Sequence, residues 1–382
     1  MHLGFITTPR GYQWSGSEEL WFSAALLALR MGHQVSALVN PEMKDAHALK
    51  HLTQQGGRVI VKAELPLRRL EQVRAKFFSR HYHESLSKVD VLVISLGSLL
   101  DPIFTSGLIQ FLKSTNIPYF ILCQFNAENL LFTTSTRPLI HCLFKTAMGL
   151  VFVSQHNLKL AQRQLADSLK KSTVIYNPIR ITPDHPLVWP DISIVQMGCV
   201  ARIETLWKGQ DVLLQVLSEK QWMHRQWHLN FYGEGPDLCY LHDLICYYSL
   251  EKKVSFHGYV REVESIWSDN HIMVLASRGE GNSLAILEAM MCGRPTVTTD
   301  VGGNREILED GITGFIADVA TPHSFSNALE YAWQKKDCWQ EMGNQAHYKA
   351  KQLADLKPAQ QLLDFICDPI ERNNNESFSY YS

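Results

Sequence analysis

Residues 277–290 read SRGEGNSLAILEAM, and they are the most informative stretch of this chain. The apolar run 272–276 predicts a strand before them, and a helix is predicted after the polar loop, ending before Gly293. Glu280 lies on the loop, and Glu288 lies about a turn and a half into the helix. Carboxylates bind sugar hydroxyls, and the unpaired amides of a helix start bind phosphate. A nucleotide-sugar has both kinds of group, so this pattern predicts a site for one.

The bulk composition is that of an ordinary globular protein. The chain has 382 residues, 46% of them hydrophobic, and 36 basic against 38 acidic residues give a net charge of −2. This length predicts two to three domains of about 150 residues each. Because the charges balance, the composition gives no general attraction to nucleic acid, and we expect no nucleic-acid partner. The eight cysteines are scattered, which favours free thiols in a reducing cytoplasm over a metal site.

The sequence predicts a soluble, cytoplasmic protein. Residues 1–6 are typical of a first strand and not of a signal peptide, and no apolar run approaches the ~18 residues of a spanning helix. Residues 62–88 leave a peripheral contact with the inner face of a membrane open. They contain seven basic and three acidic residues with interleaved aromatic side chains. This stretch either lies on an anionic lipid surface or forms a solvated helix that packs its aromatic side chains on the first domain.

Short apolar runs alternate with helical patterns, which predicts a doubly wound α/β fold occurring twice. Many runs are continuously apolar, as expected for strands covered on both faces. The predicted strands are 3–6, 35–39, 91–95, 119–123, 150–154, 174–176, 192–197, 228–232, 254–257, 272–276, 296–298 and 314–316. Three prolines interrupt residues 177–186, and we place the domain boundary there. The predicted parts are the domains 1–180 and 181–360, followed by a helix end and polar tail, 361–382, that can cross back to the first domain.

Three further loops follow predicted strands, and the first two of them open predicted helices. After the first strand, Ser15 and Glu18 fit a Ser-x-x-Glu capping box. Gly16 in the same loop either cradles a phosphate or sugar or merely allows the turn. Gly235 and Gly258 follow two later strands, and at both positions a ligand contact and ordinary turn chemistry stay open.

The loop after the predicted strand 192–197 contains two cations, Arg202 and Lys208. The carboxyl ends of strands in open α/β sheets face the crevice where ligands bind. An arginine fork and a lysine point charge there would neutralise a pyrophosphate; two solvated surface charges are the alternative. The chain has no Asp-x-Asp pair of the kind that holds a divalent metal on a donor diphosphate. We therefore expect no metal and no cofactor, with Arg202, Lys208 and helix dipoles supplying the positive charge.

The order of these motifs along the chain resembles that of the retaining nucleotide-sugar glycosyltransferases of family 4, glycosyl transferases group 1. The resemblance covers nearly the whole chain and is strongest from 192 to 335. Its motifs are Arg202-x5-Lys208-Gly209, Gly233-Glu234-Gly235-Pro236, Gly258, Glu280-x7-Glu288-Ala289, Gly293-x-Pro295, Gly302-Gly303 and Asp310-Gly311-x-x-Gly314, with Gly16–Glu19 in the first domain. The resemblance implies the GT-B fold, in which two Rossmann-like domains face each other across a cleft. Residues 1–180 would bind the acceptor and residues 181–360 the donor.

The resemblance also implies a role for each site residue. Arg202 and Lys208 would bind the donor diphosphate. Glu288 would hold the ribose hydroxyls, and Glu280 would contact the donor sugar near the reacting carbon. The implied donor-binding residues are Gly16, Gly235, Gly258, Asn282, Ser283, Leu284, Ala285 and Glu288.

Three places depart from the family's pattern. The opening loop has Ser15-Gly16 where two glycines are common. Asn282 and Ser283 stand where an apolar residue and Gly or Pro are frequent, a difference that bears on the identity of the donor sugar. Many members have a His after the fourth strand of the first domain, where this chain has Gln124 and Asn126. These amides would hydrogen-bond an acceptor sugar but would not take its proton.

The implied activity is glycosyl transfer with retention of anomeric configuration. The donor would be a UDP- or GDP-linked hexose, and the acceptor a hydroxyl of a glycan, a lipid or a small molecule. Two alternatives share the architecture: a nucleotide-sugar 2-epimerase and a non-catalytic nucleotide-sugar sensor. The sequence leaves the sugar, the base, the acceptor and the oligomeric state open.

Overall fold

A computed structural model describes residues 1–63 and 71–379. The chain divides into two compact units. The first comprises Met1–Pro178 and the residues from Lys357 onward, and the second comprises Ile179–Leu356. The change of unit between residues 178 and 179 lies in the proline-containing segment 177–186.

The described part of the first unit contains a seven-stranded parallel sheet in the order β3-β2-β1-β4-β5-β6-β7. The strands are β1 (His2–Thr7), β2 (Gln34–Val39), β3 (Arg58–Val61), β4 (Val91–Leu96), β5 (Tyr119–Cys123), β6 (Gly149–Phe152) and β7 (Ser172–Val174). The helices are α1 (Glu19–Arg30), α2 (His47–Gln54), α3 (Glu71–Ser85), α4 (Asp101–Phe104), α5 (Leu108–Ser114), α6 (Thr136–Thr146) and α7 (Gln155–Leu165). Short 3-10 turns lie at Gly16–Glu18 and Pro41–Met43.

Strand β4 shows why this sheet forms. All six of its residues are buried. Leu92 and Ile94 belong to the apolar cluster on one face of the sheet, and Val91 and Val93 to the cluster on the other face. Because successive side chains of a strand point to opposite faces, a continuously apolar run is stable only with helices on both sides.

The second unit contains a six-stranded parallel sheet in the order β10-β9-β8-β11-β12-β13. The strands are β8 (Val195–Val200), β9 (Trp227–Tyr232), β10 (Val254–Phe256), β11 (Ile272–Leu275), β12 (Thr296–Thr299) and β13 (Gly314–Ala317). The helices are α8 (Thr205–Lys208), α9 (Gln210–Leu217), α10 (Lys220–Met223), α11 (Leu238–Tyr247), α12 (Val263–Asp269), α13 (Leu284–Met291), α14 (Asn304–Ile307), α15 (Pro322–Gln334) and α16 (Trp339–Ala354). A 3-10 turn lies at Lys336–Cys338. Helix α17 (Pro358–Ser379) belongs to the first unit, where it packs against α1.

The predicted doubly wound α/β class is confirmed in both units. Strand order reverses beside β1 in the first sheet and beside β8 in the second. At such a point the flanking loops diverge and leave a crevice at the carboxyl ends of the strands. In the second unit this point lies between β8 and β11.

Three strand predictions need correction. Strand β8 begins at Val195 and not at residue 192, because its ladder with β9 runs from Val195 opposite Trp227. Strand β7 ends at Val174, where it was expected to start, since its ladder with β6 pairs residues 172–174. The sequence pattern misses β3, an edge strand whose side chains are at most half-buried and so lack a clear period.

The predicted capping box at Ser15 and Glu18 is wrong. The Ser15 side chain makes no capping hydrogen bond. Glu18 is fully buried, and its Oε2 accepts hydrogen bonds from Thr7 Oγ1 at 2.7 Å and from Trp21 Nε1 at 2.6 Å. Burial raises the pKa of Glu18. This carboxyl group therefore joins the start of the helix to the end of β1 and does not cap the helix.

The expected surface placement of Lys62 is also wrong. Lys62 follows β3 directly and is 6% exposed. Its Nζ donates to the carbonyl of Thr7 and, at 2.9 Å, to Oδ1 of Asn40. Residues 64–70 of the basic stretch lie outside the described residues, so contact with lipid stays a prediction. Within the described ranges, the helices are too short or too polar to cross a membrane.

Arg294 attaches the segment that enters the second unit to the rest of that unit. Its side chain is fully buried. Nε donates to the carbonyls of Trp267 and Asn270 at 2.9 and 2.8 Å, and the two Nη atoms donate to those of Leu187 and Val188 at 3.2 and 2.7 Å. Burial lowers the pKa of Arg294 to about 10. The bonds to Trp267 and Asn270 use the guanidinium to satisfy backbone groups that have left water, and those to Leu187 and Val188 hold the entering segment.

Replacing Arg294 with Met should destabilise the second unit, because four carbonyls lose a donor, and two of them, those of Trp267 and Asn270, are in fully buried bonds. A buried unpaired polar group costs about 1–3 kcal/mol, so the free energy of unfolding should fall by roughly 3 kcal/mol or more in urea denaturation. Arg294→Lys has fewer hydrogen-bond donors than the native protein, so its free energy of unfolding should lie between those of the native protein and Arg294→Met. The matched control is the exposed Arg261: Arg261→Met should change stability by less than about 0.5 kcal/mol. Equal stability of the two Met variants would contradict this role.

The buried amine of Lys62 should make the first unit more stable as pH rises above neutral. Burial, followed by the charge of Arg10, lowers the pKa of Lys62 from 10.5 to about 7, while Glu18, Asp101 and Glu42 oppose the shift. Between those two values the unfolded chain binds more protons than the folded chain, so the free energy of unfolding increases with pH. The Tm of the native protein minus that of Lys62→Met should therefore increase from about pH 7 to about pH 9.5. Parallel pH profiles would show that Lys62 keeps its ordinary pKa.

Candidate functional site

The carboxyl edge of the second sheet brings together two of the predicted loops. Strands β8 and β11 are neighbours, so the loop with Arg202 and the loop with Glu280 leave the sheet side by side. Backbone contacts then fix the Glu280 loop. A Cβ on Gly209 would lie 1.9 Å from the carbonyl oxygen of Ala276, and one on Gly302 would lie 2.3 Å from that of Glu280. Both glycines also have positive φ, 62° and 54°, so no other residue fits at either position.

Glu280 and Lys208 form an ion pair at this edge. Lys208 Nζ lies 2.8 Å from Glu280 Oε1, and Ser277 Oγ donates to the same oxygen at 2.7 Å. Glu280 is 5% exposed, and a quarter of the Lys208 side chain is exposed. A charge-assisted hydrogen bond in such partly dry surroundings is stronger than the same pair at the surface. The structure thus brings together two residues that lie 72 positions apart.

Glu288 also has a cationic partner, one that sequence reasoning missed. Glu288 lies on the second turn of α13 and is 2% exposed. Its Oε1 accepts hydrogen bonds from Nε and Nη2 of Arg180 at 2.8 and 2.6 Å. Arg180 comes from the segment that enters the second unit, and its only sequence signal is its place among the prolines. The guanidinium holds the carboxylate in one orientation.

Arg202 lies at the same sheet edge, directly after β8. Its Nη1 is 3.4 Å from Oε2 of Glu204, and its carbonyl accepts a hydrogen bond from Gln210 Nε2 at 2.7 Å. Nearly a third of its side chain is exposed. The contact with Glu204 is longer than the pair between Lys208 and Glu280. The structure therefore places Arg202 on the loop beside that of Glu280, where part of its side chain is open to solvent.

The remaining predicted donor-binding residues of this loop lie at the start of α13. Asn282, Ser283 and Leu284 are buried, and Ala285 is half-buried. Ser283 occupies the N-cap position without a side-chain capping bond. Its hydroxyl therefore does not compete for the first amides of the helix, which are the groups that an anion would bind.

The turns after β9 and β10 pack on each other and on the Arg202 loop. Gly233 N donates to the carbonyl of Gly258 at 2.7 Å. A Cβ on Gly235 would lie 2.2 Å from the carbonyl oxygen of Ile203. Packing alone thus requires glycine at position 235, and a ligand contact there stays a prediction.

The predicted residues of the first unit lie at the carboxyl edge of its own sheet. Gly16 opens the 3-10 turn before α1. Gln124 is 3% exposed, and neither polar atom of its amide has a partner among the described residues. Asn126 accepts from the amide of Ala127 at 3.0 Å and donates to Gln164 at 2.9 Å. Asn126 thus fixes its own turn, whereas both polar atoms of the Gln124 amide are buried without a partner among the described residues, and a ligand contact at Gln124 stays a prediction.

Part of this chain matches a known protein family. Residues 195–335 match the model of the family described as "Glycosyl transferases group 1". The N-acetyl-alpha-D-glucosaminyl L-malate synthase of Bacillus anthracis is 30% identical over 114 residues, 30% of either chain. One subunit of the phosphatidylinositol N-acetylglucosaminyltransferase of Arabidopsis thaliana is 33% identical over 147 residues, 38% of this chain and 32% of that one. The matches therefore span about a third of these curated relatives.

Among solved structures, Anabaena HepE in complex with UDP-glucose is similar over 96% of this chain and 100% of that chain. The TM-score is 0.74 at 18% sequence identity. A likeness at this identity concerns the fold, and with the two parallel sheets it gives this chain the predicted GT-B fold. The family match covers β8 to α15, and so includes Arg202, Lys208, Glu280 and Glu288.

Proposed function

We propose that this chain, which has a glycosyl transferases group 1 region on a GT-B fold, is a retaining glycosyltransferase. It transfers a hexosyl unit from a nucleotide-diphosphate sugar to an acceptor hydroxyl of a glycan, a lipid or a small molecule. The main support is the pairing of Lys208 with Glu280 at 2.8 Å, at the carboxyl edge of the sheet within the matched region. A cation and a carboxylate side by side suit a ligand that has a diphosphate next to sugar hydroxyls.

The proposed reaction needs no basic side chain. The bond between the anomeric carbon and the diphosphate oxygen breaks, and its electron pair leaves with the diphosphate. Lys208 and Arg202 stabilise the charge that develops there. The acceptor oxygen bonds to the anomeric carbon on the same face, and the acceptor proton passes to an oxygen of the leaving diphosphate. The products are a nucleoside diphosphate and a glycoside of unchanged configuration.

The donor and acceptor groups follow from the same residues. Glu288, held by Arg180, binds the ribose hydroxyls, and Glu280 binds hydroxyls of the sugar. UDP is the favoured nucleotide, since the similar HepE structure contains UDP-glucose. The amide of Gln124, buried and without a partner among the described residues, binds an acceptor hydroxyl. The names of the two relatives mention L-malate and phosphatidylinositol, so both small and lipid-linked acceptors are candidates.

Lys208→Ala and Glu288→Gln should each lower kcat/KM for transfer by about 10²–10³-fold, because each removes a charged group from the donor site. The measurement is release of the nucleoside diphosphate together with formation of the glycoside. The exposed residues Lys252 and Glu262 provide matched controls in the same unit. Lys252→Ala and Glu262→Gln should keep native rates.

Three outcomes would contradict the proposal. Full activity of both site variants would exclude this set of residues. Inversion of the sugar at C2 without an acceptor would identify an epimerase. Donor binding without turnover, for every acceptor class tried, would identify a sensor.

A nucleotide-sugar should stabilise the protein against heat without added metal. A ligand that binds only the folded state contributes RT ln(1 + [L]/Kd), about 2.7 kcal/mol at a hundredfold excess over Kd. A thermal-shift screen should include UDP-glucose, UDP-N-acetylglucosamine and GDP-mannose. We expect sugars linked to one of the two bases to raise the Tm of the protein more than sugars linked to the other. The shift should persist in EDTA, because cationic side chains are proposed to bind the diphosphate. Loss of the shift in EDTA, with recovery on adding magnesium, would show that a metal is needed.

A further inference from the structure

Arg278 joins the two segments on which Lys208 and Glu280 lie. Its Nη1 donates to the carbonyl of Thr205 at 2.6 Å and to Oδ1 of Asp211 at 2.7 Å. Its Nη2 donates to Oδ2 of Asp211, also at 2.7 Å. About a third of the Arg278 side chain and a quarter of the Asp211 side chain are exposed. This is the bidentate geometry in which an arginine and a carboxylate fix each other's position and orientation.

The backbone reinforces this contact. The amides of Arg278 and Gly279 both donate to the carbonyl of Trp207, at 2.8 and 3.3 Å. All the acceptors lie within residues 205–211, and Lys208 lies in the middle of that segment. All the donors belong to residues 278 and 279, immediately before Glu280. Any movement of one segment relative to the other must therefore break these bonds.

We propose that Arg278 is a positioning residue: through its bidentate contact with Asp211 it sets the separation between Lys208 and Glu280. The inference rests on the proposed function, in which those two groups bind adjoining parts of one donor. Helix α8 has only four residues, so it does not hold Lys208 rigidly by itself. A displacement of about 1 Å in a reacting geometry can cost about 10²-fold in rate, and Arg278 prevents such a displacement.

The same unit contains a matched ion pair far from the site. Arg225 contacts Glu330 bidentately, at 2.6 and 2.9 Å, and their side chains are about as exposed as those of the first pair. Arg225 lies just before β9, at the amino edge of the sheet, opposite the edge with Lys208. Replacing it removes a bidentate ion pair, together with the guanidinium contacts over the rings of Trp222 and Trp333, without touching the loops of the site. Arg225→Met is thus the control for a purely structural effect.

The kinetic test compares Arg278→Met with Arg225→Met, at a temperature where both variants are folded. Arg278→Met should lower kcat/KM for sugar transfer about 100-fold, mainly through kcat, whereas Arg225→Met should stay within about threefold. Arg278→Lys should recover part of the loss, because a single amine can replace one of the two Nη groups but cannot reproduce the bidentate contact. Native kinetics in Arg278→Met, with stability lowered as in Arg225→Met, would overturn the inference.

A structural readout separates this inference from the proposed function. In a crystal structure of Arg278→Met, the distance between Lys208 Nζ and Glu280 Oε1 should exceed about 4 Å, beyond ion-pair contact. A distance unchanged from 2.8 Å would show that other contacts suffice and would refute the role of Arg278. If the native protein transfers no sugar at all, the proposed function fails, and this distance still decides whether Arg278 positions the pair.

Discussion

The loop after β11 can take only one path, because backbone occupies the space on two sides of it. The turn at Gly209 lies against the carbonyl of Ala276, and the turn at Gly302 lies against the carbonyl of Glu280. The cause is the parallel sheet itself, since neighbouring parallel strands end at one edge and their loops must leave together. The pairing of Glu280 with Lys208 and the bonds of Arg278 both follow from this packing.

Charged side chains at the carboxyl edge of the second sheet form ion pairs. Lys208 faces Glu280, Arg180 faces Glu288, and Arg278 faces Asp211. An unpaired charge on a residue as buried as Glu280 or Glu288 would be costly, whereas a pair satisfies both partners. A ligand with one anionic part and one hydroxyl-rich part can bind by sharing these pairs. Under the proposed function, such a site needs little rearrangement when the ligand binds, which is a condition for electrostatic stabilisation of a transition state.

The sequence predicts the location of a polar residue well when that residue lies at the end of a strand. It predicts contacts poorly when the two partners are far apart in the chain. The location of Glu280, Glu288, Arg202 and Lys208 near one sheet edge could be predicted, because each lies in a loop after an apolar run or on a helix that follows such a loop. Their roles stay predictions. Arg180 could not be assigned, because its partner is 108 positions away and no periodic pattern links them.

In the first unit, two predictions from local sequence patterns were wrong. Glu18 matches a capping motif, yet its carboxyl group is buried and accepts hydrogen bonds from Thr7 and Trp21. Lys62 looked like part of a basic surface, because the weak edge strand before it was not recognised. In both cases a polar group is buried against specific hydrogen-bond partners. Those partners cannot be identified from the spacing of residues in the sequence.

The carbonyl contacts of Arg294 have a consequence for where the second unit can be cut. Leu187 and Val188 lie before the first strand of that unit, yet their carbonyls bind a guanidinium at its centre. A fragment that started at β8 would leave that cation with fewer acceptors in a dry interior. An autonomous fragment has to start before Leu187, and the compact unit itself begins at Ile179. The proline-containing stretch is therefore structurally part of the second unit and not a flexible tether.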